Sequence, residues 1–427
     1  MKIFITLLFL FVPVLVLGES LTLDQCIERG LTSNPQVKAY QLAIEEAEQG
    51  INEALGAFLP TLSVSYNHTE LTNGTNGERD SDYLDQNSDS FSARLSQPLF
   101  TGLSGVSGLK RARQSRDYRE VEYQYLQQQL VREISSSFYD WVLNQQLTEK
   151  WRESISRLER QSDIASAWVE QQLTSRLRLL EIHVELSNAR YELIRVQAAQ
   201  AIAEARLREW LALDTSQPLD ISGDLLALSN NPCLDLETCL TQAVQQRLEL
   251  RLAQLQIDLA RQDAKIIRAR NLPHAQLDAS WVDYQRDYDV TIYPDDERDY
   301  YSVTLNLSMQ FFQGGRNISA WRRQKLAIQR YQQQLIKQRN TIVTEVKTRY
   351  QQQKESKERI NNAKDALDEA REAYLLASKA AALGVVSLDN LLDAELRLTR
   401  VEINLINSLA ALRQTQIQLD FAVAEKR

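Results

Sequence analysis

The chain has 427 residues, 43% of them hydrophobic and 25% charged, with only 13 Gly and 8 Pro. So few backbone breakers exclude a loop-rich sandwich, a collagen-like chain and a Pro/Gly-rich disordered protein, and they leave long helices. With 49 basic and 57 acidic residues, a formal charge of −8, the chain is not expected to bind nucleic acid, and three His and three Cys equip it poorly for a metal site or a disulfide framework.

Lys2 followed by the apolar run Ile3 to Leu17 and then Gly18 reads as a cleavable secretory signal over residues 1–18. No later apolar run approaches the roughly 18 residues of a spanning helix, so entry into a membrane would have to be by strands. The first half, 19–213, begins with a helix of about 35 residues (Leu23 to Phe58) ending at Pro60. Strands follow at about 61–70 and 89–100. From Leu109 to Gln217 there is neither Gly nor Pro, and a helix from Gly108 to about Gln172 would be roughly 95 Å long. A turn near Gln172 leads into a returning helix. Residues 214–235, holding Pro218, Gly223 and Pro232, read as a linker. The second half, 236–427, repeats the order: a helix from Leu236 to Asn271, strands at about 275–284 and 301–312, a long helix, and a turn at Gly384 into a return helix.

The repetition is residue by residue. Cys26 matches Cys239 and Pro60 matches Pro273; Leu95, Phe100 and Gly102 match Leu307, Phe312 and Gly314; Leu179-Leu180-Glu181-Ile182 matches Leu391-Leu392-Asp393-Ala394. Shared helical composition would not align prolines and glycines, so the chain reads as a duplication.

The strands alternate between an apolar and a polar face, most clearly where Tyr301, Val303, Leu305, Leu307, Met309 and Phe311 interleave with Ser302, Thr304, Asn306, Ser308 and Gln310. Their length suits a tilted bilayer crossing, and aromatics gather at their ends as in interfacial girdles. Four strands cannot close a transmembrane barrel, and open edges are costly in lipid. The chain is therefore expected to oligomerise, two copies giving eight strands and three giving twelve with room for water. Two acidic loops, Asn73 to Asp89 and Gln285 to Asp299, join the strands and read mainly as solvated.

With these features the chain resembles the TolC-type outer-membrane efflux family. The resemblance rests on the duplicated helix, hairpin, long helix and return helix; on LGAFLP at 55–60 and ARNLP at 269–273; on QPLFTG at 97–102 and QFFQGG at 310–315; and on ALGVVSLDNLLDAE at 382–395. It implies a mainly α chain contributing four strands to a transmembrane β-barrel, in a homotrimer with a 12-stranded barrel in outer-membrane lipid and a periplasmic α-helical tunnel. It also implies a passive exit duct of a Gram-negative tripartite system, joined by a periplasmic adaptor protein to an inner-membrane RND or ABC transporter. The alternatives are an outlet for type I protein secretion and a soluble periplasmic coiled-coil adaptor. No nucleophile elbow or nucleotide loop is present, so no enzyme activity and no cofactor are expected.

The family's constriction carries two aspartates three residues apart; here Asn390 and Asp393 stand at that spacing, with Asp389 one residue earlier. Asp389 and Asp393 are one turn apart and share a helix face, so threefold symmetry would make each a carboxylate ring attractive to cations. For Asp389 the plainer alternative is a carboxylate stabilised by the helix N-terminus. The first-repeat counterparts Arg178 and Glu181 suit salt bridges. The family's Tyr and Arg latch positions read Ala381 and Val386. The helix tips, Thr174 and Ser175 in one repeat and Gly384, Val385, Val386 and Ser387 in the other, are the expected contacts for the adaptor or pump. Cys233 and Cys239, six apart in an oxidising compartment, could form a local disulfide; a Cys26–Cys239 bond or three buried thiols are the alternatives.

Overall fold

The computed structural model describes residues 20–71, 86–214, 219–226, 235–288, 296–383 and 385–424. The expected signal segment 1–18, Cys233 and Gly384 lie outside them. In chain order the elements are α1 (Leu23–Ser33), α2 (Pro35–Gly56), β1 (Thr61–Leu71), β2 (Gln86–Thr101), α3 (Ser104–Glu170) and α4 (Arg176–Trp210). The same order then recurs in α5 (Leu236–Gln246), α6 (Leu248–Ala269), β3 (His274–Tyr288), β4 (Asp296–Ser308), α7 (Arg316–Ala382) and α8 (Leu388–Val423). The long helices α3 and α7 have 67 residues each.

The opening helix of each half is broken, contrary to the single 35-residue helices expected. Pro35 has no amide hydrogen and disfavours helical backbone at Asn34, which sits at φ −69°, ψ 126°. In the second half no proline is present, yet Arg247 takes φ −61°, ψ 121° at the matching place. Both break residues cap the returning helix of their own half. Asn34 Nδ2 donates to Trp210 O at 3.0 Å, and Arg247 Nη1 donates to Phe421 O at 3.4 Å and Ala422 O at 3.2 Å. C-terminal helix carbonyls lack the usual partner within the helix, and these bonds serve such acceptors, although Phe421 O also accepts from Ala424 N–H at 3.1 Å. Arg247 also pairs with Glu345 at 3.2 Å and lies 5.0 Å from the centre of the Phe421 ring. Thr22 and Asp235 cap the starts of α1 and α5.

The four strands form one antiparallel sheet in the order β1-β2-β3-β4. β4 ends at Ser308, short of the expected residue 312, because its neighbour β3 begins at His274, the partner of Ser308. At the other end the ladder runs further than expected. Asp89, Asp287, Asp296, Glu297 and Asp299 are strand residues rather than loop residues; the loop segments 72–85 and 289–295 lie outside the described residues. The matched glycines turn the chain from strand to helix. Gly102 and Gly314 have φ of 61° and 60°, a region that glycine enters without a Cβ penalty. At Gly102 a Cβ would also stand 2.5 Å from Ala269 O.

Two compact units result. One gathers residues up to Lys38, Tyr125–Arg247 and Thr341 onward; the other holds Ala39–Gln124 and Leu248–Asn340, with the sheet. Cys239 is disulfide-bonded. Cys26 is a free, buried thiol, which removes both a Cys26–Cys239 bond and a set of three thiols. Burial pushes the Cys26 pKa up to about 11, against a smaller downward pull from Arg29.

Candidate functional site

The sheet has two chemically distinct faces, and the strand register aligns them across all four strands. One row reads Leu62, Leu95, Ala279, Val303 and the next Val64, Ala93, Trp281, Tyr301. Between these rows, on the opposite face, lie Ser63, Arg94, Ser280 and Ser302, and beyond them Thr61, Ser96, Asp278 and Thr304. The polar face is stitched together: Ser65 bonds Ser92 at 2.7 Å, Ser280 bonds Ser302 at 2.8 Å, and Asp278 accepts from Ser96 (2.6 Å), Gln276 (2.8 Å) and Asn306 (2.7 Å).

The apolar face is open. Leu62 is 72% exposed and Tyr301 81% exposed, and leaving such area in water forfeits about 25 cal/mol per Å². Past the row of Trp281 and Tyr301 the outward positions become Tyr66, Phe91, Asp283 and Asp299, so the apolar band closes with aromatics and then carboxylates. Phe91 packs edge-on against Trp281, 5.8 Å between ring centres. This is the pattern of a lipid-facing band with an aromatic girdle. The strands β1 and β4 are the sheet's edges, each with one side unpaired among the described residues.

The second candidate region is the helix ends. α3 closes with Gln172 at φ 59°, Leu173 N–H donating to Trp168 O at 2.8 Å and Gln172 N–H to Val169 O at 3.0 Å, the double bond of a Schellman turn. Thr174 and Ser175 follow, and Ser175 precedes α4 without a side-chain capping bond. At the matching corner Val385 N–H reaches Ala380 O at 2.9 Å, Val385 is exposed, Val386 is half-buried, and Ser387 precedes α8, again without a side-chain cap. Ala165, Ile182 and Leu388 form the buried core joining α3, α4 and α8, flanked by Trp168, Leu179 and Leu392.

That core brings Arg178 to Asp389: Nε lies 2.6 Å from Oδ1, while Arg178 Nη1 meets Glu181 at 2.6 Å. The bond to Glu181, with the charges of Asp389 and Glu181, holds the Arg178 pKa above its ordinary value against an opposing desolvation. Asn390 and Asp393 are exposed, and among the described residues Asp393 has no ion-pair partner. The two acidic positions therefore differ: Asp389 is compensated and Asp393 is bare.

A third group escaped the sequence reading. Glu395 is fully buried (0% exposed) and accepts from Arg157 Nε at 2.8 and 2.6 Å, Ser154 at 3.1 Å and Thr399 at 2.9 Å. Arg157 Nη2 continues to Glu402 at 3.2 Å. Burial alone would lower the Arg157 pKa, but the bond and charge of Glu395, with Glu402 beside it, raise it overall. The signal was present: Glu395 stands four residues after Leu391 and seven after Leu388, on the apolar stripe of α8.

Residues 26–213 and 239–425 match the family described as outer membrane efflux protein. The chain is 25% identical over 414 residues to outer membrane protein TolC of Escherichia coli (strain K12), spanning 92% of this chain and 80% of that protein. It is 26% identical over 383 residues to the alkaline protease secretion protein AprF of Pseudomonas aeruginosa, spanning 86% of this chain and 76% of AprF. Among solved structures, the Campylobacter jejuni CmeC outer membrane channel has the same fold at a TM-score of 0.81 and 12% identity, covering 94% of this chain and 85% of that one. VceC from Vibrio cholerae aligns at 0.77 and 14% identity, covering 94% and 95%. The chain belongs to the outer membrane efflux protein family.

Proposed function

We propose that the protein is the outer-membrane channel of a tripartite export system, a passive duct that takes substrate from a periplasmic adaptor and an inner-membrane pump. The carrying observation is the sheet: its apolar rows are exposed across four strands while both of its edges lack a partner among the described residues. Each unpaired backbone group costs several kcal/mol in lipid, and pairing β4 of one copy with β1 of the next removes every edge. Three copies close twelve strands, with the polar face of Arg94, Asp278 and the serines lining a wet lumen. The outer-membrane location follows from the family. In this reading the turns at Thr174–Ser175 and Gly384–Ser387 meet the adaptor or pump, and Asp393 and Asn390 line the constriction, with Asp389 beside them.

The test is assembly and conductance. Protein purified in detergent should have the mass of a trimer and should form channels in planar bilayers. A stable monomer with intact strands would remove the barrel. The similarity to AprF favours a second reading, in which the same duct exports a protein rather than small molecules. Complementation of a strain lacking its own channel, scored for a secreted protein and for a toxic small molecule, separates the two. A soluble coiled-coil adaptor would have no use for the open apolar face of the sheet.

A further inference from the structure

Two residues along an α-helix are about 200° apart around its axis. Asp393 and Glu395 stand in that relation on α8, so burying Glu395 turns Asp393 away from α3. Asn390, five residues before Glu395, falls about 140° from it, on the same outward side. Leu388, Leu391 and Leu398 fill the buried face around Glu395, yet leucines alone allow a helix to roll or slide, because apolar contact is non-directional. The bonds of Glu395 are directional. Its carboxylate is held by Arg157 Nε and Ser154 Oγ from α3 and by Thr399 Oγ1 from its own helix, and Arg157 reaches Glu402 one heptad on. From α7, the Tyr374 ring lies 6.0 Å from the same guanidinium. A roll of one residue's 100° would part the buried Glu395 carboxylate from its half-buried guanidinium partner, which is strongly unfavourable.

The matching position in the first repeat is His183. It is exposed and its side chain bonds the Ser162 hydroxyl at 3.0 Å, so among the described residues no buried charge holds α4 at that position.

We propose that Arg157 and Glu395 are positioning residues that fix the roll and register of α8, and so aim Asp393 and Asn390 at the passage. The proposal rests on the channel reading, in which those two side chains line the constriction. Its test uses the full-length trimer and two readouts, divalent-cation block in planar bilayers and amide hydrogen exchange. In Glu395→Gln the side chain keeps its shape but leaves Arg157 short of a charge. Block should weaken several-fold and exchange over 388–399 should quicken, with exchange over 236–246 unchanged. Glu395→Asp, which keeps the charge opposite Arg157, should stay closer to the parent in both readouts. Glu395→Gln trimers with parental block and parental exchange would overturn the proposal.

Asp393→Asn separates the two ideas. If it leaves block unchanged, the constriction reading fails, and the anchoring role stands or falls on exchange alone. Should both Glu395 variants fail to assemble, the unaltered protein decides. Exchange across 388–399 should be slower than across 176–187, and equal rates would overturn the anchor.

Discussion

Arg178 on α4 and Asp389 on α8, 211 positions apart in sequence, form a 2.6 Å ion pair. The pair joins the return helices of the two repeats and removes one of two acidic charges that the sequence places side by side. Asp393, one turn on, keeps its charge without a partner among the described residues.

The sign of each charge change at this end of the helices is therefore fixed. Asp393→Asn should lower cation selectivity and weaken block by divalent cations. Arg178→Gln should do the opposite, because it leaves the Asp389 carboxylate uncompensated. Reversal potentials in asymmetric salt, measured on assembled trimers, check both. Equal potentials in the two variants would place the constriction elsewhere.

The two faces of β4 make a second expectation. Leu305 lies on the apolar face and Thr304 on the polar face beside Asp278. Leu305→Arg should cost about 2–4 kcal/mol if it meets lipid near the midplane, whereas Thr304→Arg should assemble and change only conductance. Trimer yield after detergent extraction reports the difference, and equal tolerance at both positions would contradict membrane embedding.

The capping bonds at the two helix breaks should be unequal. Arg247→Ala strands the Glu345 carboxylate and removes the donor to two terminal carbonyls of α8, of which Phe421 O keeps its bond from Ala424 N–H, at a cost of about 3 kcal/mol. Asn34→Ala loses two neutral bonds, the one to Trp210 O and the one from Gln36 N–H, and should cost about 2 kcal/mol. Thermal unfolding of the two variants against the parent tests the order, Arg247→Ala being the lower in Tm.

The cysteines should differ in chemistry. Non-reducing peptide mapping is expected to find Cys239 joined to Cys233, with Cys26 unpaired. The Cys26 pKa is raised above the unfolded value of about 9 to about 11, so its contribution to stability is complete below pH 9 and is lost as pH rises toward 11. Alkylation of the folded protein at pH 8 should be slow and should become fast in denaturant. Rapid labelling of the native trimer would show that the α1 core opens.

The sequence alone determined the order of helices and strands, though not the breaks at Asn34 and Arg247 or the strand ends, and which side of each strand is apolar. These are local properties. A run from Leu109 to Gln217 without Gly or Pro leaves the helix uninterrupted until its turn, and period-two alternation at Tyr301 to Leu307 assigns faces before any partner is known. The turn glycines Gly102 and Gly314 were legible for the same reason, since a left-handed corner selects glycine. Tertiary structure alone decided what depended on a distant partner. Arg247 breaks its helix without a proline because its guanidinium reaches carbonyls 174 and 175 positions away. Glu395 is buried because Arg157 and Ser154, 238 and 241 positions away, supply its donors. Asp389 differs from Asp393 because Arg178 lies beside only one of them. A charge reads as exposed in sequence, and only the folded chain brings the counter-charge that lets it be buried or neutralised.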